Sequence, residues 1–275
     1  MYWAWSHPES PIIRTLFGIL VNHPLLCKAG GVEKNRKNRA AVQRLLWEGV
    51  TQPRRGRRHS LTVDDIISAA LAVGQRGGMA SLSMRAVAQE LEVGVASLYT
   101  YVPNKAALLA LMSDAMIGML PLPHTLPGDW RAQTQAWALD EMTAFQTYPW
   151  LAEFDDHHTI GPSAVAWLES AVRVFEPTGM SVEEALAAVQ AITGYIRGHV
   201  TNVLAEDQSS TWSSTTGIQA TGTEASRQTY QSAAARYPAL ESLEKYPSAF
   251  AVFESGLSWL LDGIAAQIDT RGQDS

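Results

Sequence analysis

The chain holds a single cysteine, Cys27, in 275 residues. That excludes an intramolecular disulfide and a cysteine-rich zinc site, and it fits a reducing cytoplasm. Nothing beside Cys27 supplies the base that a thiol nucleophile needs. Charge is sparse at 17%, while apolar residues make up 46%, the balance of a folded chain rather than a disordered one. No alternating apolar–polar stretch of useful length occurs, so no sheet is expected. Long apolar runs are missing as well. Residues 16–21 are apolar but far short of a membrane span, with Arg14, Asn22 and His23 beside them. The start lacks a basic segment and a small-residue cleavage site, so no secretory signal is expected. No phosphate loop, nucleophile–base pair or metal-ligand spacing appears. Asp155, Asp156, His157 and His158 are adjacent, and four neighbours cannot all converge on one ion. The sequence thus predicts no catalytic residue, no metal, no cofactor and no membrane partner.

What charge there is lies unevenly. Residues 1–60 carry 11 Lys/Arg against 3 Asp/Glu, a net of +8, and residues 61–275 carry 10 against 24, a net of −14. Lys34, Arg36, Lys37, Arg39 and Arg44 lead to the cluster Arg54, Arg55, Arg57 and Arg58. Such asymmetry suggests an end that faces nucleic acid. The arginine cluster could lie along phosphates or enter a minor groove, or serve as a solvated linker.

Residues 83–105, SMRAVAQELEVGVASLYTYVPNK, are the most informative segment. Ser83 can cap a helix whose apolar face is Met84, Val87, Ala88 and Leu91. The break at residues 91–94 ends in Gly94. A second, very short helix then offers Val95, Leu98 and Val102 to a core and leaves Ala96, Ser97, Tyr99, Thr100 and Tyr101 partly free. Pro103 ends it, and Asn104 can cap a further helix from Lys105. Two short helices around a tight break are what a protein needs to lay one helix into the major groove of DNA. Upstream, residues 61–77 read as a helix with Thr62 and Asp65 forming its cap, Ile66, Ile67, Ala70 and Leu71 its apolar face, and Gly77-Gly78 its stop.

These residues resemble the helix-turn-helix of the tetracycline-repressor-like (TetR) family of bacterial transcription regulators. The resemblance is carried by residues 82–88 (LSMRAVA) and by Leu98-Tyr99-Thr100-Tyr101-Val102-Pro103-Asn104-Lys105. It is close over about 60 residues, looser to about residue 270, and absent before about residue 40. It implies an all-α fold: a three-helix DNA-binding domain at 59–120 and a larger helical ligand-binding and dimerisation domain at 121–275. Before them stands an N-terminal extension at 1–58, basic from residue 33 and expected to be partly disordered. Glu92 stands where the family usually has glycine in the turn. Gly94, Val95 and Ala96 replace more polar residues, which leaves few groups for base readout. The expected DNA contacts are Arg54, Arg55, Arg57, Arg58, Thr62, Ser83, Met84, Arg85, Val95, Ala96, Ser97, Tyr99, Thr100, Tyr101 and Lys105. Tyr99 suits packing between helices as well as it suits DNA. Arg85 suits a phosphate or a solvated helix face.

The remainder reads as helices over residues 130–147, 161–175, 181–205 and 247–268. Residues 208–223 contain nine Ser/Thr in sixteen, the composition of a flexible loop. Ala187, Ala188, Ala191, Gly194, Tyr195 and Gly198 put small residues at close spacing on one helix, and Phe250, Phe253, Leu257, Leu260, Leu261 and Ile264 form an apolar stripe on the last. By resemblance these two helices pair with those of a second subunit, giving a homodimer that fits a palindromic operator in double-stranded DNA. The family binds small molecules in this second domain. Trp137, Glu141, Phe145, Trp150, Phe154, His157, Trp167, Tyr195 and His199 supply the bulk and the few polar groups that a pocket for an unknown small-molecule effector needs. The reading is a cytoplasmic, ligand-responsive transcriptional regulator, a repressor released from DNA by its effector. The alternatives are a constitutive DNA-binding protein and a helical enzyme with an incidental helix-turn-helix.

Overall fold

The computed structural model describes residues 33–48, 61–148, 161–208 and 248–274. Among them every regular element is a helix. In chain order these are α1 (Glu33–Glu48), α2 (Val63–Ser81), α3 (Met84–Glu90), α4 (Val95–Tyr99), α5 (Lys105–Met119), α6 (Trp130–Thr147), α7 (Pro162–Arg173), α8 (Val182–Gln208) and α9 (Ala249–Asp274). Short 3-10 turns stand at Pro123–Thr125 and Glu176–Thr178. The chain divides into two compact units, residues 1–189 and 190–275.

Helix starts in the first unit are set by local polar side chains. The Thr62 Oγ1 accepts from the Asp65 N–H at 3.1 Å, and the Asp65 carboxylate accepts from the Thr62 N–H at 2.9 Å, so two orphan donors are satisfied reciprocally. Ser83 accepts from Ala86, Asn104 from Ala107 and Asp129 from Ala132. Gly78, at φ 64°, takes α2 out of helical geometry, which bears out the stop expected at Gly77-Gly78. The residues after it make one more turn, closed by the Ser81 hydroxyl donating to the Gly78 carbonyl at 2.8 Å.

The core of this head is one cluster. Ile66, Ala70, Leu82, Val87, Leu98, Val102, Leu108 and Met112 are essentially buried. α1 joins it: Val42 is buried, and Leu45 and Leu46 pack against the same cluster. Part of the extension expected at 1–58 is therefore a helix packed on the head, because its apolar residues recur at helical spacing.

α5 is apolar around most of its circumference because it is covered twice. Ala107, Leu108 and Met112 face the head, and further along it packs against α7. Asp114 is the one charge in α5 beyond Lys105, and it is buried. Its carboxylate accepts from the Ala164 N–H at 3.0 Å and the Ser163 N–H at 3.3 Å. Burial raises its pKa above the usual carboxylate range, and these N–H donors pull the other way. The Pro123–Thr125 turn is pinned to α7 as well: the His124 N–H donates to the Ser170 hydroxyl at 3.1 Å, whose oxygen lies 2.6 Å from Nδ1 of the same histidine.

α8 opens with the expected capping box, Ser181 Oγ to the Glu184 N–H and Glu184 Oε2 to the Ser181 N–H. In the second unit its continuation packs on α9. The Tyr195 hydroxyl donates to the Phe253 carbonyl at 2.9 Å, and its ring stacks on Phe253 at 5.6 Å. Gly256 is required there, since a Cβ would stand 2.2 Å from the tyrosine oxygen.

Leu98 is fully buried although it belongs to a helix of five residues. A helix that short has no stability of its own, so its position depends on this anchor. Leu98→Ala should cost about 2–5 kcal/mol of unfolding free energy, measured by urea denaturation; a loss below about 1 kcal/mol would mean that α4 is held by other contacts.

Candidate nucleic-acid interface

α3 and α4 are joined by four residues, Leu91 to Gly94. The α3 carbonyls at this end are taken up by the turn: the Leu91 N–H donates to Val87 O, Glu92 N–H to Gln89 O and Val93 N–H to Ala88 O. Closing this reversal places Glu92 at φ 55°, the left-handed region that a side chain resists and glycine tolerates. Among the described residues no other non-glycine has positive φ. Gly94 gives α4 no side-chain cap.

The result is a helix with a buried side and a bare side. Leu98 and Val102 point into the core. Ala96, Ser97, Tyr99 and Thr100 are exposed, Tyr99 at 51%. Val95 and Tyr101 are half-buried and pack against the core cluster. The Thr100 hydroxyl donates back to the Ser97 carbonyl at 2.6 Å, so its proton is occupied and its oxygen lone pairs remain. Tyr99 lies outside the core cluster, on the open face of the helix.

Around the helix, Ser83 and Arg85 are exposed at the start of α3. The Ser83 oxygen is engaged as a cap, and the Thr62 hydroxyl donates to Asp65 at 2.6 Å. Lys105 is exposed, and its ammonium lies 3.5 Å from the Met79 carbonyl, leaving two of its three donors. Met84 needs correction. It was expected among the DNA contacts, but it is 7% exposed and belongs to the core. As the first residue of α3 it turns toward Val87 and Ala88 rather than outward. Arg54, Arg55, Arg57 and Arg58 lie outside the described residues. Arg76 on α2 pairs through both guanidinium nitrogens with Glu90 at the end of α3. Hydrogen bonding to Arg76 lowers the Glu90 pKa, and Glu90 raises that of Arg76. Sequence reasoning passed over this brace because fourteen residues separate the partners.

The residues expected to form a pocket fall into separate groups. Trp137 is buried on α6 and meets Trp167 of α7 edge-on, centroids 5.6 Å apart. Met142 and Phe145 are buried on the same helix, with Glu141 half-buried between Trp137 and Phe145. Trp150, Phe154 and His157 lie outside the described residues. Tyr195 and His199 stack together in the second unit, 6.4 Å apart, and the Tyr195 hydroxyl is occupied by α9.

A buried-core three-helix head with a short, outward-facing second helix after a tight turn defines a helix-turn-helix DNA-binding protein. Comparison with known proteins narrows this. Residues 66–112 match the model for bacterial regulatory proteins of the tetR family. Residues 122–268 match the tetracyclin repressor-like C-terminal domain. The chain is 31% identical over 253 residues to the HTH-type transcriptional repressor DrrR1 of Streptomyces coeruleorubidus, covering 90% of this chain and 94% of that one. It is 28% identical to the class E tetracycline repressor of Escherichia coli, over 77% of this chain and 94% of the relative. It shares its fold with apo ActR of Streptomyces coelicolor (TM-score 0.64, 24% identity, 78% of this chain and all of the other). A second structure on this fold is a TetR variant of Acinetobacter baumannii in complex with minocycline (TM-score 0.56, 25% identity, 76% and 98% covered). The chain belongs to the TetR family of helix-turn-helix transcriptional regulators.

Glu92 works against the site twice, through its backbone and through a negative charge in the turn of the reading motif. Glu92→Gly should therefore raise stability by about 0.5–1 kcal/mol and strengthen DNA binding, read by thermal melting and by gel shift. A variant with lower stability and unchanged affinity would show that Glu92 makes a contact in the turn that offsets both costs.

Proposed function

We propose that this chain is a homodimeric repressor that a small molecule releases from a palindromic operator. The observation that carries the DNA half is the mounting of α4: Leu98 and Val102 buried, with Ala96, Ser97, Tyr99 and Thr100 bare. Base readout falls to Ser97, Thr100 and apolar contact of Val95 or Ala96 with a thymine methyl. Tyr99, Tyr101, Arg85, Ser83 and Lys105 hold the backbone, with the Arg54–Arg58 cluster adding charge outside the motif; Thr62, whose two donors both go to Asp65, does not. The similarity to the repressor DrrR1 supports a negative regulator acting in the cytoplasm, where the DNA is.

The effector half rests on Trp137. Its indole N–H is buried and has no acceptor among the described residues, an arrangement that costs about 1–3 kcal/mol and that an acceptor on a bound ligand would relieve. The neighbour bound to minocycline and ActR bound to actinorhodin support an aromatic effector. Release requires that the effector bind the DNA-incompetent state better, and only by that difference does it act.

The dimer half rests on exposed apolar surface. Trp259 and Phe250 on α9 are 75% and 49% exposed, and Ala187, Ala191, Gly194 and Gly198 on α8 are all exposed. Monomers rarely leave large aromatics bare, and the exposed small residues of α8 recur at the spacing of one helix face.

Two measurements test the reading. A duplex enriched from a random pool should bind with a steep salt dependence, and Lys105→Ala should lower the slope of log K against log salt by about 1. No enrichment, or an unchanged slope, removes sequence-specific binding or the Lys105 contact respectively. Ala191→Arg should turn a dimer into a monomer by light scattering and weaken operator binding at least about tenfold, since one half-site is lost. A dimer that persists would move the interface off α8.

A further inference from the structure

The start of α7 lacks the local side-chain cap that most of the longer helices carry. α2, α3, α5, α6, α8 and α9 are capped by their own preceding residues, Thr62, Ser83, Asn104, Asp129, Ser181 and Ser248. The residue in that position before α7 is Gly161, which has no side chain, and Pro162 has no N–H. The free donors are the Ser163 and Ala164 N–H groups, and both go to Asp114 on α5, about fifty residues earlier in the chain.

The crossing around this carboxylate is tight. A Cβ on Gly161 would lie 2.2 Å from Asp114 Oδ1. One turn further along α5, a Cβ on Gly118 would lie 2.9 Å from the Ser163 hydroxyl. The helices thus meet glycine to carboxylate and glycine to serine, with no room for either to slide. Displacing Asp114 would strand a buried carboxylate and two helix-end donors at once. The crossing therefore has one permitted register.

That register is transmitted to the head. α5 begins at Lys105, directly after the residues that close the recognition helix, and its first turns are part of the head's core. Asp114 stands nine residues along it, about 13 Å from its start at 1.5 Å per residue. We propose that Asp114 is a positioning residue for DNA binding: by capping α7 from α5 it fixes where the recognition helix stands relative to α7. It touches no DNA. It acts by holding each head where a dimer needs it, one helical turn of DNA from its mate. This rests on the reading of the chain as a dimeric DNA-binding protein.

The test uses the full-length protein, a duplex enriched by the wild type from a random pool, and a random duplex of equal length. Asp114→Ala should weaken binding to the enriched duplex about tenfold while changing binding to the random duplex less than about twofold, because phosphate contacts do not need the register. Asp114→Asn, whose amide oxygen can still accept from Ala164, should restore most of the ratio. A cooperatively folded Asp114→Ala variant that keeps the wild-type ratio overturns the proposal. If that variant does not fold, Gly161→Ala provides the second arm. It retains the carboxylate but displaces it, and it should lower the same ratio; an unchanged ratio is again decisive against. In the wild type, saturating enriched duplex should slow hydrogen exchange at the Ser163 and Ala164 amides, since coupling between two sites is reciprocal; unaltered exchange overturns the proposal. Failure of the wild type to enrich any duplex would remove the DNA-binding reading and this inference together. Enrichment with indifferent variants removes this inference alone.

Discussion

The two-sided burial of α5 is the constraint on which the rest of the first unit depends. One stretch of helix supplies Ala107, Leu108 and Met112 to the head and then lies against α7. A helix shared by two cores cannot move in one without disturbing the other, because packed interiors do not deform continuously. Its apolar circumference follows directly: no side is left for water along most of its length. A charge in such a helix is costly unless it is hydrogen-bonded, and Asp114 meets that condition by taking the two N–H groups that α7 cannot cap for itself.

The reading helix shows the opposite economy. α4 has five residues and gains almost nothing from its own hydrogen bonds. It exists because Leu98 is buried, and it is aimed because Asn104 restarts the chain as α5 five residues after Tyr99. Its outer face is short and carries few polar groups, with the Thr100 proton already engaged. Specificity from so small a face has to be multiplied by symmetry, and affinity has to come largely from phosphates. The acidic turn residue Glu92, held at positive φ, shows that the motif tolerates a poor fit at one position when the flanking helices are firmly packed.

How much was legible in the sequence depends on the range of the interaction. Thr62 with Asp65, Ser83, Asn104, Ser181 with Glu184, and the break at Gly78 act within a few residues, and all stand where the sequence places them. The inward side of α4 was equally legible, because Leu98 and Val102 leave no other apolar face. Met84 was read twice, on the apolar face of α3 by helical spacing and among the DNA contacts by resemblance, and its burial agrees with the spacing. The packing of α1, the Arg76–Glu90 brace and the capping of α7 by Asp114 all join segments far apart in sequence. Gly161-Pro162 did signal a helix start, but a start with no polar residue in the cap position also signals a missing partner, and that half of the signal has no address in the chain.

The same reasoning separates two of the aromatic residues expected in a pocket. Tyr195 fits the composition of a ligand pocket, yet its hydroxyl and ring are both committed to α9, with Gly256 shaped to receive it. Trp137 fits it too, and its buried indole N–H has no acceptor among the described residues. A polar group whose bond is already made inside the protein contributes rigidity; a buried donor without a partner leaves a hydrogen bond to be completed. Two aromatic residues of similar bulk thus differ in hydrogen bonding rather than in the composition that singled them out.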